Sequence, residues 1–176
     1  MSKKLILILG GVRSGKSSYA QQLASDDGGR VLFLATAEAG DDEMKRRIAK
    51  HKSSRAAAWA TIEEPLDIAS ALKPKSATAD VVILDCITVW LSNLLLRENG
   101  MTEEEMLAEI DKLLNAYKQG KASYIIVSGE VGMGIVPEYP LGRIFRDYMG
   151  LANQRLTDKA DRVVLMVAGI PADVKK

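Results

Sequence analysis

The sequence predicts an α/β fold in three layers, with helices covering both faces of a mostly parallel central sheet. Short, continuous apolar runs recur along the chain, as expected for strands that are buried on both faces. Helical patterns lie between successive runs. This alternation of strand and helix favours parallel strands joined by right-handed crossovers, with the helices packed above and below the sheet.

Five apolar runs are predicted to be the strands of this sheet. Each contains four or five residues, mostly Val, Ile and Leu, and none shows the alternation of a strand with one exposed face. The predicted strands span residues 5–9, 31–34, 81–84, 124–127 and 163–167.

The clearest helical pattern follows Thr102, whose hydroxyl forms a capping-box pattern with Glu105. Apolar residues continue at helical spacing as far as Tyr117, and Gly120 is predicted to end this helix. Shorter helical patterns are predicted over 18–24, over 88–97 and from Asp41 or Asp42 onward.

No repeat or interdomain linker interrupts the pattern, so residues 1–176 are predicted to form a single domain. Residues 73–79, which contain Pro74, are expected to be a short polar loop rather than a domain boundary.

Composition and charge exclude several functional classes. The chain has 24 basic and 23 acidic residues, a net charge of +1, which argues against general affinity for nucleic acid or a membrane surface. No apolar stretch approaches the roughly 20 residues that span a bilayer. A single cysteine, Cys86, excludes an internal disulfide and fits a reducing compartment, so we expect a cytoplasmic protein.

The first predicted strand leads directly into the phosphate-binding motif G-x-x-x-x-G-K-[ST]. Its glycines allow backbone N–H groups to point at phosphate oxygens, and the following helix directs its positive end at the same anion. Lys16 is predicted to reach the β- and γ-phosphates, and the Ser17 hydroxyl to bind Mg²⁺. The motif predicts a P-loop NTPase-type fold and a nucleoside triphosphate site at Gly10, Gly11, Val12, Arg13, Ser14, Gly15, Lys16 and Ser17.

Asp85 comes directly after the third apolar run. A carboxylate at the end of a strand is the Walker-B pattern, in which it holds Mg²⁺ directly or through water. Asp85 also precedes a helical pattern and is therefore a candidate helix N-cap; the two interpretations are compatible.

His51 is the chain's only histidine, and no acidic residue lies between Met44 and Ile62. Like charges around the imidazole would disfavour its protonation and leave it neutral and nucleophilic near pH 7. The same charges would stabilise negative charge on an attacked phosphate. A structural interpretation stays open, because His51 follows Met44 and Ile48 at helical spacing and basic runs are usually solvated. The surrounding basic residues are Lys45, Arg46, Arg47, Lys50, Lys52 and Arg55.

Together with several further blocks, these residues resemble the bifunctional adenosylcobinamide kinase/adenosylcobinamide-phosphate guanylyltransferase family. The blocks run in order from residue 10 to about residue 170, so the resemblance covers nearly the whole chain. The block EVGMGIVP, at residues 130–137, is far more specific to this family than the P-loop motif. The blocks are GGVRSGKS at 10–17, AT at 35–36, DDEM at 41–44, HK at 51–52, DCIT at 85–88, EVGMGIVP at 130–137, FRD at 145–147 and NQR at 153–155.

The resemblance implies two reactions in cobalamin synthesis. The first phosphorylates the hydroxyl of adenosylcobinamide's aminopropanol arm with ATP or GTP. The second transfers GMP from GTP to that phosphate through a guanylylated histidine, giving adenosylcobinamide-GDP and pyrophosphate. The resemblance also implies Mg²⁺ as cofactor and a homo-oligomer, with a trimer as the expected state.

The resemblance places the catalytic histidine on His51, with Lys16 in the P-loop. Besides the P-loop, the implied nucleotide contacts are Ala35, Thr36, Ala37, Lys52, Ser53, Ser54, Arg55, Glu63 and Asp85.

Other interpretations stay open on the residues alone. One is a P-loop kinase for another small metabolite, with His51 incidental; another is a P-loop module whose nucleotide state regulates a partner. Trp59 is expected to pack against the sheet, and Glu130 is a candidate base for the kinase step.

Overall fold

The computed structural model describes residues 3–38, 42, 45–46, 49, 52, 55–98 and 100–176. Within these ranges seven strands form one sheet in the spatial order β3-β2-β4-β5-β1-β6-β7. Adjacent strands are parallel except for the pair β6 and β7, which is antiparallel. The strands are β1 (Leu5–Gly10), β2 (Val31–Ala35), β3 (Ala60–Glu63), β4 (Val81–Asp85), β5 (Ser123–Val127), β6 (Arg162–Val167) and β7 (Ile170–Lys175).

Helices pack on both faces of the sheet, which confirms the predicted three-layer α/β fold. Buried residues Ala20 and Ala24 of α1 share one apolar cluster with Phe33 and Ile83 of the sheet. The other helices share a second cluster with the opposite face, which includes Trp90. The described helices are α1 (Lys16–Asp27), α2 (Ile68–Lys75), α3 (Ile87–Leu95), α4 (Glu103–Gln119) and α5 (Pro140–Lys159), and a 3-10 turn spans Ser76–Thr78.

All five predicted strands are confirmed as parallel members of the sheet. In β2 every residue is buried, and in β4 four of the five are. Continuous apolar sequence therefore corresponds, as expected, to strands covered on both faces.

Two strands, β3 and β7, were not predicted. In β3 only Ile62 is buried, and all six residues of β7 are exposed. Both lie at the edges of the sheet, where a strand has one hydrogen-bonded neighbour and little burial. Pro171 is tolerated in β7 because an edge strand leaves one row of N–H positions unpaired. Neither strand therefore has the apolar run that identified the others.

The predicted helix after Thr102 is confirmed together with its capping box. The Glu105 N–H donates to the Thr102 hydroxyl at 3.2 Å, and the Thr102 N–H donates to the Glu105 carboxylate at 2.8 Å. Gly120 is the C-cap residue, as expected.

The prediction of a polar loop over 73–79 is wrong. The segment contains the end of α2 and the 3-10 turn, because Asp67 caps α2 and the buried Ile68 and Leu72 anchor it to the core. The helix predicted from Asp41 or Asp42 lies mostly outside the described residues. No helix among the residues described is long and apolar enough to cross a bilayer.

Candidate active site

The parallel register aligns the carboxyl ends of six strands, β1 to β6, at one edge of the sheet. Ala35 at the end of β2 lies opposite Glu63 of β3 and Asp85 of β4, and Asp85 lies opposite Val127 of β5. The P-loop leaves β1 at the same edge, after Gly10. Ligand sites of open α/β sheets lie at this edge, so the fold gathers the predicted site residues there.

The P-loop backbone requires a glycine at its first position. Gly10 has φ +144°, and a β-carbon there would lie 2.5 Å from the Met166 carbonyl oxygen and 2.8 Å from the Ser14 hydroxyl. Any other residue would therefore clash with β6 and with the loop itself. The loop is also tied to the hairpin after β6, because the Gly169 N–H donates to the Ser14 carbonyl at 3.0 Å.

Lys16 begins α1 and folds back over the P-loop. Its ammonium donates to the Gly11 carbonyl oxygen at 2.6 Å. Burial lowers the pKa of Lys16 from its usual value, while the nearby Asp85 carboxylate acts in the opposite direction. The ammonium is thus held at the loop where a bound phosphate would compete for it.

A cavity of about 380 Å³ opens beside the P-loop. It brings together residues that are up to 121 positions apart in the sequence, from Gly10 to Val131. Ten of the predicted site residues line it: Gly10, Val12, Arg13, Lys16, Ser17, Ala35, Ala37, Arg55, Glu63 and Asp85.

Several predicted site residues lie elsewhere. Gly11, Ser14 and Gly15 belong to the P-loop but do not line the cavity. Lys52 does not line it either, but forms an ion pair with Glu63 at 2.6 Å. His51, Ser53 and Ser54 lie outside the described residues.

Thr36, another predicted nucleotide contact, does not line the cavity. It is completely buried. Its hydroxyl accepts from the Cys86 N–H at 2.9 Å and donates to the Cys86 carbonyl at 2.8 Å. Asn93 also donates to the Thr36 carbonyl oxygen at 2.9 Å. Through these hydrogen bonds Thr36 connects the end of β2 to the residue that follows β4.

Arg55 presents a partly desolvated cation to the cavity. Its guanidinium carbon lies 4.0 Å from the centre of the Phe33 ring, a cation–π contact. Its Nε is buried and has no hydrogen-bond partner among the residues described. Burial lowers the pKa of Arg55, against the opposing effect of Asp85 and Glu63. Because Arg55 lines the cavity, its guanidinium is a candidate partner for the phosphate of a bound nucleotide.

The segments that follow β4 and β5 contribute further lining residues, which the sequence prediction did not place at the site. Cys86, Thr88, Val89, Gly129 and Val131 line the cavity, as does Glu130, the candidate base. Burial raises the pKa of the Cys86 thiol to about 11, so it stays protonated near neutral pH and is a poor nucleophile.

The loop at Gly129 is held by side chains from two helices. Its N–H donates to the Thr88 hydroxyl at 2.6 Å, and its carbonyl accepts from the Asn153 amide at 3.0 Å. The buried Ser128 hydroxyl donates to the same Asn153 at 2.6 Å. A β-carbon at Gly129 would lie 2.7 Å from the Thr88 oxygen, so this close approach requires glycine. One signal was present in the sequence: Asn153 is a polar residue among the core positions of α5.

Ser17 and Asp85 fit the predicted Mg²⁺ site. Both line the cavity and both offer hard oxygen ligands. No cluster of three or more His, Cys, Asp or Glu side chains suited to a metal occurs in the part of the chain that the structure describes. Mg²⁺ usually keeps several waters and binds through one or two protein groups plus substrate phosphates, so a sparse donor set is compatible with it.

The fold and the P-loop define a P-loop nucleotide-binding protein. The crystal structure of the RadB recombinase is similar, with a TM-score of 0.53 and 16% identity, over 92% of this chain and 73% of that one. At this level of identity the likeness concerns the fold alone.

Comparison of sequences identifies the family. Residues 6–174 match the family described as cobinamide kinase / cobinamide phosphate guanyltransferase. The bifunctional adenosylcobalamin biosynthesis protein CobP of Pseudomonas aeruginosa is 41% identical over 169 residues, 96% of each chain. The corresponding CobU proteins of Salmonella typhimurium and Escherichia coli are 40% and 38% identical over 181 residues, covering 97% of this chain and 99% of theirs. The chain belongs to the cobinamide kinase / cobinamide phosphate guanyltransferase family, and it is an enzyme; the resemblance found in the sequence is confirmed.

Proposed function

We propose that this enzyme phosphorylates adenosylcobinamide with ATP or GTP and then transfers GMP from GTP to the product through His51. One observation carries the proposal: a single cavity contains Lys16 and Ser17 of the P-loop together with Arg55 and Asp85. Family membership supports the two reactions. A cytoplasmic location and a homo-oligomer, with a trimer as the expected state, belong to the same proposal and rest on the resemblance and composition.

In the kinase step, the hydroxyl oxygen of the aminopropanol arm attacks the γ-phosphorus. The bond from this phosphorus to its bridging oxygen breaks, and the nucleoside diphosphate leaves. Such transfers depend mainly on positioning and on neutralising charge, which Lys16 and the P-loop N–H groups would supply. Bound Mg²⁺, held by the Ser17 hydroxyl and the Asp85 carboxylate, would neutralise charge on the phosphates.

Glu130 is the carboxylate that we propose as the acceptor of the hydroxyl proton. Among the described residues three carboxylates line the cavity, but Glu63 is paired with Lys52, and Asp85 is proposed to hold the metal. Glu130 lies in the loop after β5, beside the first residue of the P-loop, and one of its oxygens accepts from the Gly132 N–H at 2.6 Å. This bond fixes the orientation of the carboxylate at the place where the acceptor would enter.

In the guanylyl step, a neutral nitrogen of His51 attacks the α-phosphorus of GTP. The bond from this phosphorus to the β-bridging oxygen breaks, pyrophosphate leaves, and the other ring nitrogen releases its proton to solvent. An oxygen of adenosylcobinamide phosphate then attacks the same phosphorus, the P–N bond breaks, and the imidazole takes a proton from solvent to regenerate neutral His51. Two steps avoid holding two anionic reactants against each other at once.

The described neighbours of His51 support this role. Lys52, the next residue, is paired with Glu63 of the cavity wall, and Arg55 lines the cavity itself. Cationic groups at this wall would stabilise charge on the departing pyrophosphate.

Incubation with GTP labelled at the α-phosphate tests the histidine step. We expect covalent label that is acid-labile and base-stable, absent in His51→Asn and discharged by adenosylcobinamide phosphate. Lys121→Gln is a matched control, because this exposed lysine precedes β5 at the other end of the sheet; it should label normally. GTP labelled at the γ-phosphate should leave no covalent label.

Two outcomes would contradict the proposal: an unlabelled wild-type protein, or full labelling of His51→Asn. Unchanged synthesis of adenosylcobinamide-GDP by His51→Asn would instead show that the guanylyl transfer does not require His51.

A further inference from the structure

A second cavity opens on the surface beside the first. It has a volume of about 360 Å³ and lies between the loop at Gly132 and the middle of α5. Its other lining residues come from α5: Arg146, Asp147, Gly150, Leu151 and Gln154. We propose that this cavity binds an amide-bearing edge of the corrin ring of the acceptor, an inference that rests on the proposed function.

The two cavities meet along one short segment of chain. Glu130 and Val131 line the nucleotide cavity, and the next residue, Gly132, lines the second. The Gly132 N–H also donates to the Glu130 carboxylate. If the corrin ring binds at the second cavity, its hydroxyl-bearing arm has to cross only residues 130–132 to reach the Glu130 carboxylate.

The side chains of the second cavity suit an uncharged amide better than a phosphate. Arg146 and Asp147 balance each other in charge, and Asp147 would repel an anion. A primary amide both donates and accepts hydrogen bonds. The cavity offers partners of both kinds, because Arg146 donates, Asp147 accepts and Gln154 does both. Arg146 is fixed in place, because its Nη2 donates to the Gly132 carbonyl oxygen at 2.6 Å.

The surface next to Gly132 is apolar, as the methylated face of a corrin ring requires. Met133 is 83% exposed and Ile135 is 97% exposed, and Val136 and Tyr139 follow on the same segment. Exposed apolar groups clustered within a few residues are typical of ligand-binding surfaces. A flat ring with amides on its rim would cover this segment while its edge enters the polar cavity.

Gly150 keeps the cavity open. It lies in the interior of the 20-residue helix α5, where glycine is less favourable than alanine. A β-carbon at Gly150 would meet no atom within 4 Å, so packing does not require glycine there. The space above it is part of the cavity, and a longer side chain would fill this space.

Gly150→Leu tests the inference in steady-state kinase assays. We expect the KM for adenosylcobinamide to rise at least tenfold, while the KM for the nucleotide stays within twofold and the unfolding temperature does not fall. Leucine is the better helix former, so loss of corrinoid binding would not reflect misfolding. Ala108→Leu, an exposed position on α4, is the matched control and should leave both KM values unchanged.

Gln154→Leu provides a second test, because it removes an amide without filling the cavity to the same degree. The same selective rise in the corrinoid KM is expected. Unchanged corrinoid KM values in both variants would overturn the inference, as would an equal rise in the nucleotide KM. Failure of the proposed function would be seen separately, as wild-type protein that neither phosphorylates adenosylcobinamide nor takes covalent label from GTP.

Discussion

Arg55 is a basic residue whose proposed phosphate-binding role depends on how its side chain packs. The basic segment around His51 indicated only positive charge. In the structure Arg55 stacks on Phe33 of β2, lines the nucleotide cavity and has a buried Nε without a described partner. A planar guanidinium can stack and donate two parallel hydrogen bonds to a phosphate, whereas an ammonium cannot.

Arg55→Lys should therefore weaken nucleotide binding although it preserves the charge. Hydrogen bonds to charged groups contribute about 1.5–3 kcal/mol, so we expect the Kd for GTP to rise roughly tenfold to a hundredfold. Titration calorimetry with GTP measures the change. Arg30→Lys is the control, because Arg30 precedes β2 at the opposite edge of the sheet and pairs with Asp80 on the surface. Equal affinities for Arg55→Lys and wild type would refute the phosphate-binding role.

Residues within a motif could be predicted from sequence, and residues defined by packing could not. The P-loop and Asp85 follow from a local pattern, because the chemistry requires given residue types at fixed spacing. The buried Thr36 hydroxyl connects the end of β2 to Cys86, the residue after β4, and no pattern in the sequence indicated this contact. That role depends on a strand 50 residues away, which no local pattern specifies.

At the scale of elements, the loop from Ser128 to Gly132 determines the shape of both cavities. Thr88 of α3 and Asn153 of α5 fix its first residues, and the Glu130 N–H donates to the Gly10 carbonyl at 3.0 Å. The loop is therefore tied to two helices and to the P-loop. Buried strands and the capped helix could be predicted from sequence, whereas this connection depends on tertiary hydrogen bonds.

Asn153→Leu should release the loop. It leaves the buried Ser128 hydroxyl and Gly129 carbonyl without their partner, so we expect a loss of about 2–4 kcal/mol in the free energy of unfolding. We also expect the kcat for phosphorylation to fall roughly tenfold to a hundredfold through misplacement of Glu130. Urea unfolding and steady-state assays measure the two effects.

The double variant Ser128→Ala/Asn153→Leu separates positioning from stability. Removing both polar partners should recover part of the lost stability, because an apolar pair leaves fewer unsatisfied groups. The kcat should stay low, since Gly129 is still released from α5. A double variant with wild-type kcat would show that Asn153 serves stability alone.

At the scale of the whole molecule, strand order determines the size of the nucleotide site. β5 lies between β1 and β4, so two strand spacings, about 10 Å, separate the P-loop strand from the strand that carries Asp85. This gap leaves room for phosphates and a metal ion between Lys16 and Asp85. The order itself could not be predicted from sequence, because the edge strands β3 and β7 lack apolar runs and pairing partners are chosen by tertiary packing.

The central claim is that one cavity serves both phosphoryl and guanylyl transfer. Lys16→Met tests it most directly, because it removes the P-loop cation and nearly preserves side-chain length. Lys118→Met, an exposed lysine near the end of α4, is the control. Both reactions would be measured on the same preparation: phosphorylation of adenosylcobinamide, and covalent labelling of the protein by GTP carrying label at the α-phosphate.

We predict that Lys16→Met slows both reactions roughly a hundredfold or more, as expected when one electrostatic group is removed from a preorganised site. Lys118→Met should match the wild type in both assays. A Lys16→Met protein that no longer phosphorylates adenosylcobinamide but takes up the guanylyl label at the wild-type rate would contradict the claim, because the two transfers would then use separate nucleotide sites.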